Sequence, residues 1–294
     1  MKRSRNQKYQ ISNYKFQVNF KSQYRKVWLG ILFLELICDL MFVIWDFIYY
    51  QKGHFMILDE ITMEDFQRGL ARTQTVIVPM GTVEEHGIHL PLGTDTLHAW
   101  ELAKRTAERT EVFVAPPIHY GVCTSTEQHP GTFSISAEAL RLLMGDLLGS
   151  FYSQGLRQII LLSGHAGGLH MAALREVGEE AVRELPDLNL AVLSVYDLLA
   201  KGYNGIIETI NDSHAGEGET SGVLYLRPDL VKGRSPEEYP QRVSYFITRN
   251  KLKYWPGGVW GDPAKASREK GERLLQRAVE EMLKIIQQIK EFEG

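Results

Sequence analysis

Along residues 56–294 the apolar positions alternate between short runs and helical stripes. Residues 75–80, Thr-Val-Ile-Val-Pro-Met, form a near-continuous apolar run, as a strand buried on both faces requires. Residues 157–164 repeat that pattern more clearly. Residues 111–118 read as a strand stopped by Pro116 and Pro117, and residues 188–198 as another. A short strand followed by an amphipathic helix is expected from Met56 onward. Residues 95–110 put Ala99, Leu102, Ala103 and Ala107 on one helical face. Helices are also predicted over 137–154, 169–185 and 216–226, with a long amphipathic one over 263–292. Strands alternating with helices predict an α/β fold with a mainly parallel sheet covered on both faces. Nothing after residue 56 reads as a linker or a repeat, so 56–294 is expected to be one domain.

Residues 1–55 read differently. Residues 1–26 hold eight Lys or Arg and no Asp or Glu, while the whole chain carries a net charge of -3. Residues 27–50 are apolar enough to span a bilayer, which takes about 20 residues, and the basic flank before them suits a cytoplasmic N-terminus. Yet Glu35, Asp39 and Asp46 fall near one helical face, and each acid at a membrane centre costs roughly 2.5–3.5 kcal/mol. Three readings fit 1–55: a membrane anchor, an amphipathic or partner-binding helix, or a segment outside the working protein. Met56 as a natural beginning favours the third. Membrane contact is expected only through residues 27–50; otherwise the protein is expected in the cytoplasm.

The overall charge makes no case for nucleic acid. Cys38 and Cys123 lie far apart and form no motif, so a disulfide framework is not expected.

The chemistry gathers at the strand ends. In open parallel sheets ligands collect beyond the carboxyl ends of the strands. After 75–80 come Glu84, Glu85, His86, His89 and Asp95. After 111–118 come His119, Glu127 and His129. After 157–164 come His165 and His170. After 188–198 a longer loop leads to His214, Glu217 and Glu219. Seven of the nine histidines lie at or just after these ends. Histidine with carboxylate, and no cysteine motif, suits Zn, Mn or Fe. Glu84 and His86 share a face of an extended segment. Asp95 stands at an expected helix N-cap, from which its carboxylate could instead bridge two metals. A two-metal site supplies hydroxide at neutral pH and clamps both oxygens of a hydrolytic transition state.

Five ordered motifs are similar to those of the creatininase (creatinine amidohydrolase) family. They are "GTVEEHGIHLPLGTD", "HPGTFSIS", "SGHAGG", "HAGEGETS" and "GVWGDPAKAS". The resemblance covers about residues 56–290. It implies a three-layer α/β/α sandwich, two divalent metal ions per subunit, and hydrolysis of amide-type C–N bonds by a metal-held hydroxide. It also implies a homo-oligomer, often a hexamer, and a small-molecule amide substrate. By motif, Glu84, His86, Asp95, His165 and Glu219 would be metal ligands, with Asp95 bridging. His214 would transfer protons, and Glu219 would support catalysis as well as the metal. Glu85, His89, His129, Gly164 and Gly167 would line or support the site. Creatininase proper carries a ligand carboxylate where this chain has Gly167, and Glu219 is expected to replace it. That departure points to the broader family, including a formamide deformylase and a peptide-maturing peptidase. The alternative of another class is a membrane-tethered binding protein without catalysis.

Overall fold

The computed structural model describes residues 56–199, 205–241 and 245–292. The expectations for residues 1–55, and for a membrane anchor at 27–50, lie outside the described residues. Among the described residues no helix is long and apolar enough to cross a membrane.

Five strands form one sheet: β1 (Met56–Ile57), β2 (Thr75–Met80), β3 (Phe113–Val114), β4 (Gln158–Ser163) and β5 (Asn189–Ser194). Their order is β1-β3-β2-β4-β5, and every pairing is parallel. The helices are α1 (Met63–Leu70), α2 (Thr94–Ala107), α3 (Ala137–Ser153) and α4 (Gly168–Glu184). They continue as α5 (Val195–Leu199), α6 (Glu217–Leu226), α7 (Lys251–Tyr254) and α8 (Arg268–Glu291).

The strand sequences explain the layering. Along β4, Ile159 and Leu161 join α3 and α4 on one face, while Ile160 and Leu162 join α2 and α8 on the other. A strand whose successive side chains bury on opposite faces needs apolar residues at every position. Each fully buried aliphatic side chain contributes roughly 1.5–3 kcal/mol, which makes β4 the anchor of both cores. The result is an α/β/α sandwich.

Three predicted elements differ. The strand over 111–118 shrinks to Phe113–Val114, because Pro116 and Pro117 have no N–H for a ladder. Pairing resumes only as a bridge between Met80 and Ile118. The strand over 188–198 stops at Ser194 and turns directly into α5. There the Asp197 carboxylate accepts the Ser194 N–H at 2.8 Å, and the Ser194 hydroxyl accepts the Asp197 N–H at 3.2 Å. This reciprocal cap overrides the apolar run. The helix over 263–292 breaks into a short 3-10 turn (Pro263–Lys265) and α8, separated by extended Ala266 and capped afresh by Ser267.

Candidate metal centre

In the parallel pairing of β2 with β4, Met80 lies opposite Ser163. Loop 81–93 and turn 164–167 therefore leave the same sheet edge side by side. The first turn of α2 rests directly on them. A Cβ on Gly164 would strike the backbone carbonyl of Asp95, and one on Gly81 would strike the backbone of Thr96. These two glycines thus allow the close approach that delivers Asp95 between the strand ends. Asp95 is the second residue of α2, not its N-cap, which is Gly93. Its carboxylate is free of capping duty for that reason. The third element is α6, whose third residue is Glu219. The Asp212 carboxylate accepts the N–H groups of Glu217 at 2.6 Å and Gly218 at 2.8 Å, which holds the helix start in place.

The two oxygens of Asp95 face two different partners. Oδ1 lies 3.1 Å from His86 Nε2, which is 3.6 Å from Glu219 Oε2. Oδ2 lies 3.4 Å from His165 Nδ1, which is 2.8 Å from Glu84 Oε2. The side chains of Glu84, His86 and Asp95 are at most 2% exposed, and that of Glu219 is 19% exposed. Thr82 donates its hydroxyl to Asp95 and Glu84, and Thr126 donates to the other Glu84 oxygen.

The remaining nitrogen of each ring is committed. His86 Nδ1–H donates to the Glu84 carbonyl at 3.1 Å, and His165 Nε2–H donates to the Val122 carbonyl at 3.1 Å. A backbone acceptor on one nitrogen turns the other outward as a lone pair, as metal-binding histidines require. Here those lone pairs point at carboxylate oxygens, and two acceptors at such range repel unless positive charge lies between them. With protons as the only cations, burial pulls His86 down, but Asp95, Glu219 and Glu84 outweigh it and raise it to about 10. His165 behaves alike: burial opposes, and Glu84 and Asp95 lift it well above its ordinary value. Two donors on one tetrahedral zinc ion stand roughly 3.3–3.5 Å apart. The observed spacings bracket that range, so the residues fit as donors to divalent metal.

His214 stacks on His86 with ring centroids 4.2 Å apart and meets Trp255 edge-on at 5.4 Å. Its Nε2–H donates to the Glu85 carbonyl at 2.8 Å, with Glu85 Oε1 at 3.4 Å. A cavity of about 270 Å³ opens from this centre. Glu84, Asp95, His165, His214 and Glu219 line it, together with Gly164, Gly167, Trp255 and Trp260. Leu102, Val195, Leu199, Leu226, Leu274 and Ala278 add an apolar part to its lining.

Other predicted residues sit around the centre. His89 is clamped between the hydroxyls of Ser235 and Thr220, each at 2.8 Å, and ties loop 81–93 to α6. His129 donates from Nε2 to the Trp255 carbonyl at 2.7 Å. His170 bridges Val122 N–H and Ser163 Oγ. Glu217 turns away to Lys270 at 2.5 Å. His119 and Glu127 are exposed. At Gly167 any Cβ would collide with the ring of His165, so the ring orientation excludes a side chain there. Sequence reasoning missed Thr82, Thr126 and Cys123. The Cys123 sulfur belongs to a set with ligand atoms of Glu84 and His165 that all lie within 4.8 Å of one another.

His89 carries a pH prediction. Burial, and then the charge of His86, pushes its pKa from 6.5 to about 4. A folded pKa below the unfolded one means stability that is full above 6.5 and is lost as pH falls towards 4. His89→Gln cannot take the proton. Its melting temperature is expected to fall less steeply over that window than the parent's. Equal slopes by circular dichroism would refute the assignment.

The chain is similar to known hydrolases. A family profile described as creatinine amidohydrolase matches residues 59–286. A mycofactocin precursor peptide peptidase of Mycolicibacterium smegmatis is 32% identical over 225 residues, covering 69% of this chain and 81% of that protein. A creatinine amidohydrolase of Pseudomonas putida is 28% identical over 251 residues, covering 76% and 94%. The solved structure of a mutant creatininase of zinc–zinc type superposes with a TM-score of 0.73 at 26% identity, covering 82% of this chain and 99% of the other. With the profile spanning most of its length, the chain belongs to the creatininase family of hydrolases.

Proposed function

We propose that this chain is a metal-dependent amidohydrolase that holds two divalent cations and cleaves an amide-type C–N bond. The observation that carries the reading is the division of Asp95. One oxygen faces His86 and Glu219, the other His165 and Glu84. The three carboxylates would be shared between the ions, with Asp95 common to both. Zn, Mn and Fe suit such imidazole and carboxylate donors. When bound, such ions acidify water and polarise a carbonyl oxygen.

The chain's own residues supply the rest. His214 is the proton carrier: its Nε2–H is held by the Glu85 carbonyl, which leaves the Nδ1 lone pair to accept a proton from the attacking water and pass it to the departing nitrogen. Glu85 orients that ring, and His129 fixes Trp255 against it through the Trp255 carbonyl. The apolar part of the cavity lining excludes water and favours a substrate with a hydrocarbon group.

A peptide amide is the second reading for the bond. The peptidase relative at 32% identity favours it, as does the apolar cavity wall. Profiling the full chain against creatinine, formamides, cyclic imides and short peptides separates the two. Chelator treatment is expected to abolish hydrolysis, and Zn, Mn or Fe to restore it. Hydrolysis that persists after the ions are removed, as verified by elemental analysis, would reject the proposal.

A further inference from the structure

We propose that Cys123 is a thiolate ligand for the cation held by Glu84 and His165. That half of the centre would then be closed by protein donors, while the His86–Glu219 half stays open to water and substrate. The inference rests on the two-cation reading above and adds a donor to it.

The geometry supports it from three directions. First, the Cys123 sulfur, a Glu84 oxygen and a His165 nitrogen all lie within 4.8 Å of one another. Donors around one zinc ion stand roughly 3.3–3.8 Å apart, so about an ångström of contraction at most completes the set. Second, the backbone on either side of the sulfur is pinned. The Val122 carbonyl accepts the His165 Nε2–H, the Val122 N–H donates to His170, and the Cys123 N–H donates to Ser134 Oγ at 2.9 Å. The residue that orients His165 is thus the chain neighbour of Cys123, and the two donors are placed by one piece of backbone. Third, Cys123 is 1% exposed, and its sulfur is buried beside a carboxylate and an imidazole. A cysteine that serves only as a small apolar filler has no need of that company.

The chemistry is a simple exchange. The S–H proton leaves to solvent and a sulfur–metal bond replaces it. With Glu84 and His165 the thiolate would make three protein donors, and the Asp95 oxygen 3.4 Å from His165 Nδ1 would be the fourth that closes a tetrahedral zinc site. The other half has three donors, His86, Asp95 and Glu219, as sites that admit water do. A thiolate also shifts preference toward Zn and away from Mn at that half. The two ions should therefore differ in affinity.

The test uses the full-length chain stripped of metal and reloaded with cobalt(II). A sulfur-to-cobalt charge-transfer band in the near ultraviolet is expected in the parent. It should vanish in Cys123→Ser and Cys123→Ala, while the d–d bands of the second ion persist. In both variants the Zn affinity of one site should weaken roughly ten- to a hundredfold, and its preference for Zn over Mn should narrow. Near-ultraviolet circular dichroism checks that the variants fold. A parent with two bound cobalt ions and no charge-transfer band would overturn the ligand and leave the metal centre standing. A band that survives in both variants would overturn it as well. A chain that binds no cobalt by elemental analysis would overturn the two-cation reading itself, and this inference with it.

Discussion

Asp95→Asn is expected to empty both halves of the metal centre together. Each carboxylate oxygen serves a different histidine, at 3.1 and 3.4 Å. Asn keeps the shape and removes the charge, and its amide nitrogen cannot bind a cation. On the proposed two-cation reading, elemental analysis should find two ions per chain in the parent and fewer than one in the purified variant. The loss in kcat/KM should exceed the roughly 10–100-fold cost of deleting an outer hydrogen-bond partner. Glu219→Gln touches only the His86 half and should leave the other ion in place. If Asp95→Asn retained both ions at parental affinity, the shared carboxylate would be disproved. Circular dichroism separates this result from misfolding, since the buried neighbours of Asp95 lose no volume.

Gly164→Ala is the second large effect, and it acts through packing. The added methyl would meet the Asp95 carbonyl, so the first turn of α2 must lift off the end of β4. Overpacking of this kind costs about 1–3 kcal/mol. The displaced turn also carries Asp95 away from His165, so metal affinity should fall with stability. Gly168→Ala is the control: nothing lies within 4 Å of the methyl it would add. That variant should melt with the parent and bind the same ions. If the two alanine variants behave alike, the close approach at Gly164 is not what positions the centre.

The sequence made the architecture legible where burial alone decides it. Residues of β2 and β4 had to be apolar on both faces, and their limits and those of α3 and α4 fall within a residue or two of expectation. It misled where local hydrogen bonding competes with hydropathy. Ser194 and Asp197 cap a helix inside an apolar run, and two prolines truncate β3. The same division holds at the centre. Histidines and carboxylates after strand ends are chemically loud, and the family motifs picked Glu84, His86, Asp95, His165 and Glu219 out from among them. Orientation could not be read. His89 and His129 were expected to line or support the site, and only the fold shows how they are held: one is clamped between two hydroxyls and the other holds a tryptophan carbonyl. Cys123 and Thr126 were silent because they reach Glu84 only after a separate segment folds onto it, and Thr82 because a hydroxyl two residues from Glu84 carries no signal of which way it turns.

Asp95 and Glu219 stand in the first turns of α2 and α6, and this bears on the order of events in the life of the molecule. Each helix start offers roughly half a positive charge from its unpaired N–H groups. The carboxylates are therefore partly compensated before any ion arrives. With two broad apolar cores beneath them, the cradle can assemble first and be loaded afterwards. Small zinc modules do the reverse, since they fold only around their metal. A chain built this way would take up its ions after folding, and stripping them should leave the fold standing.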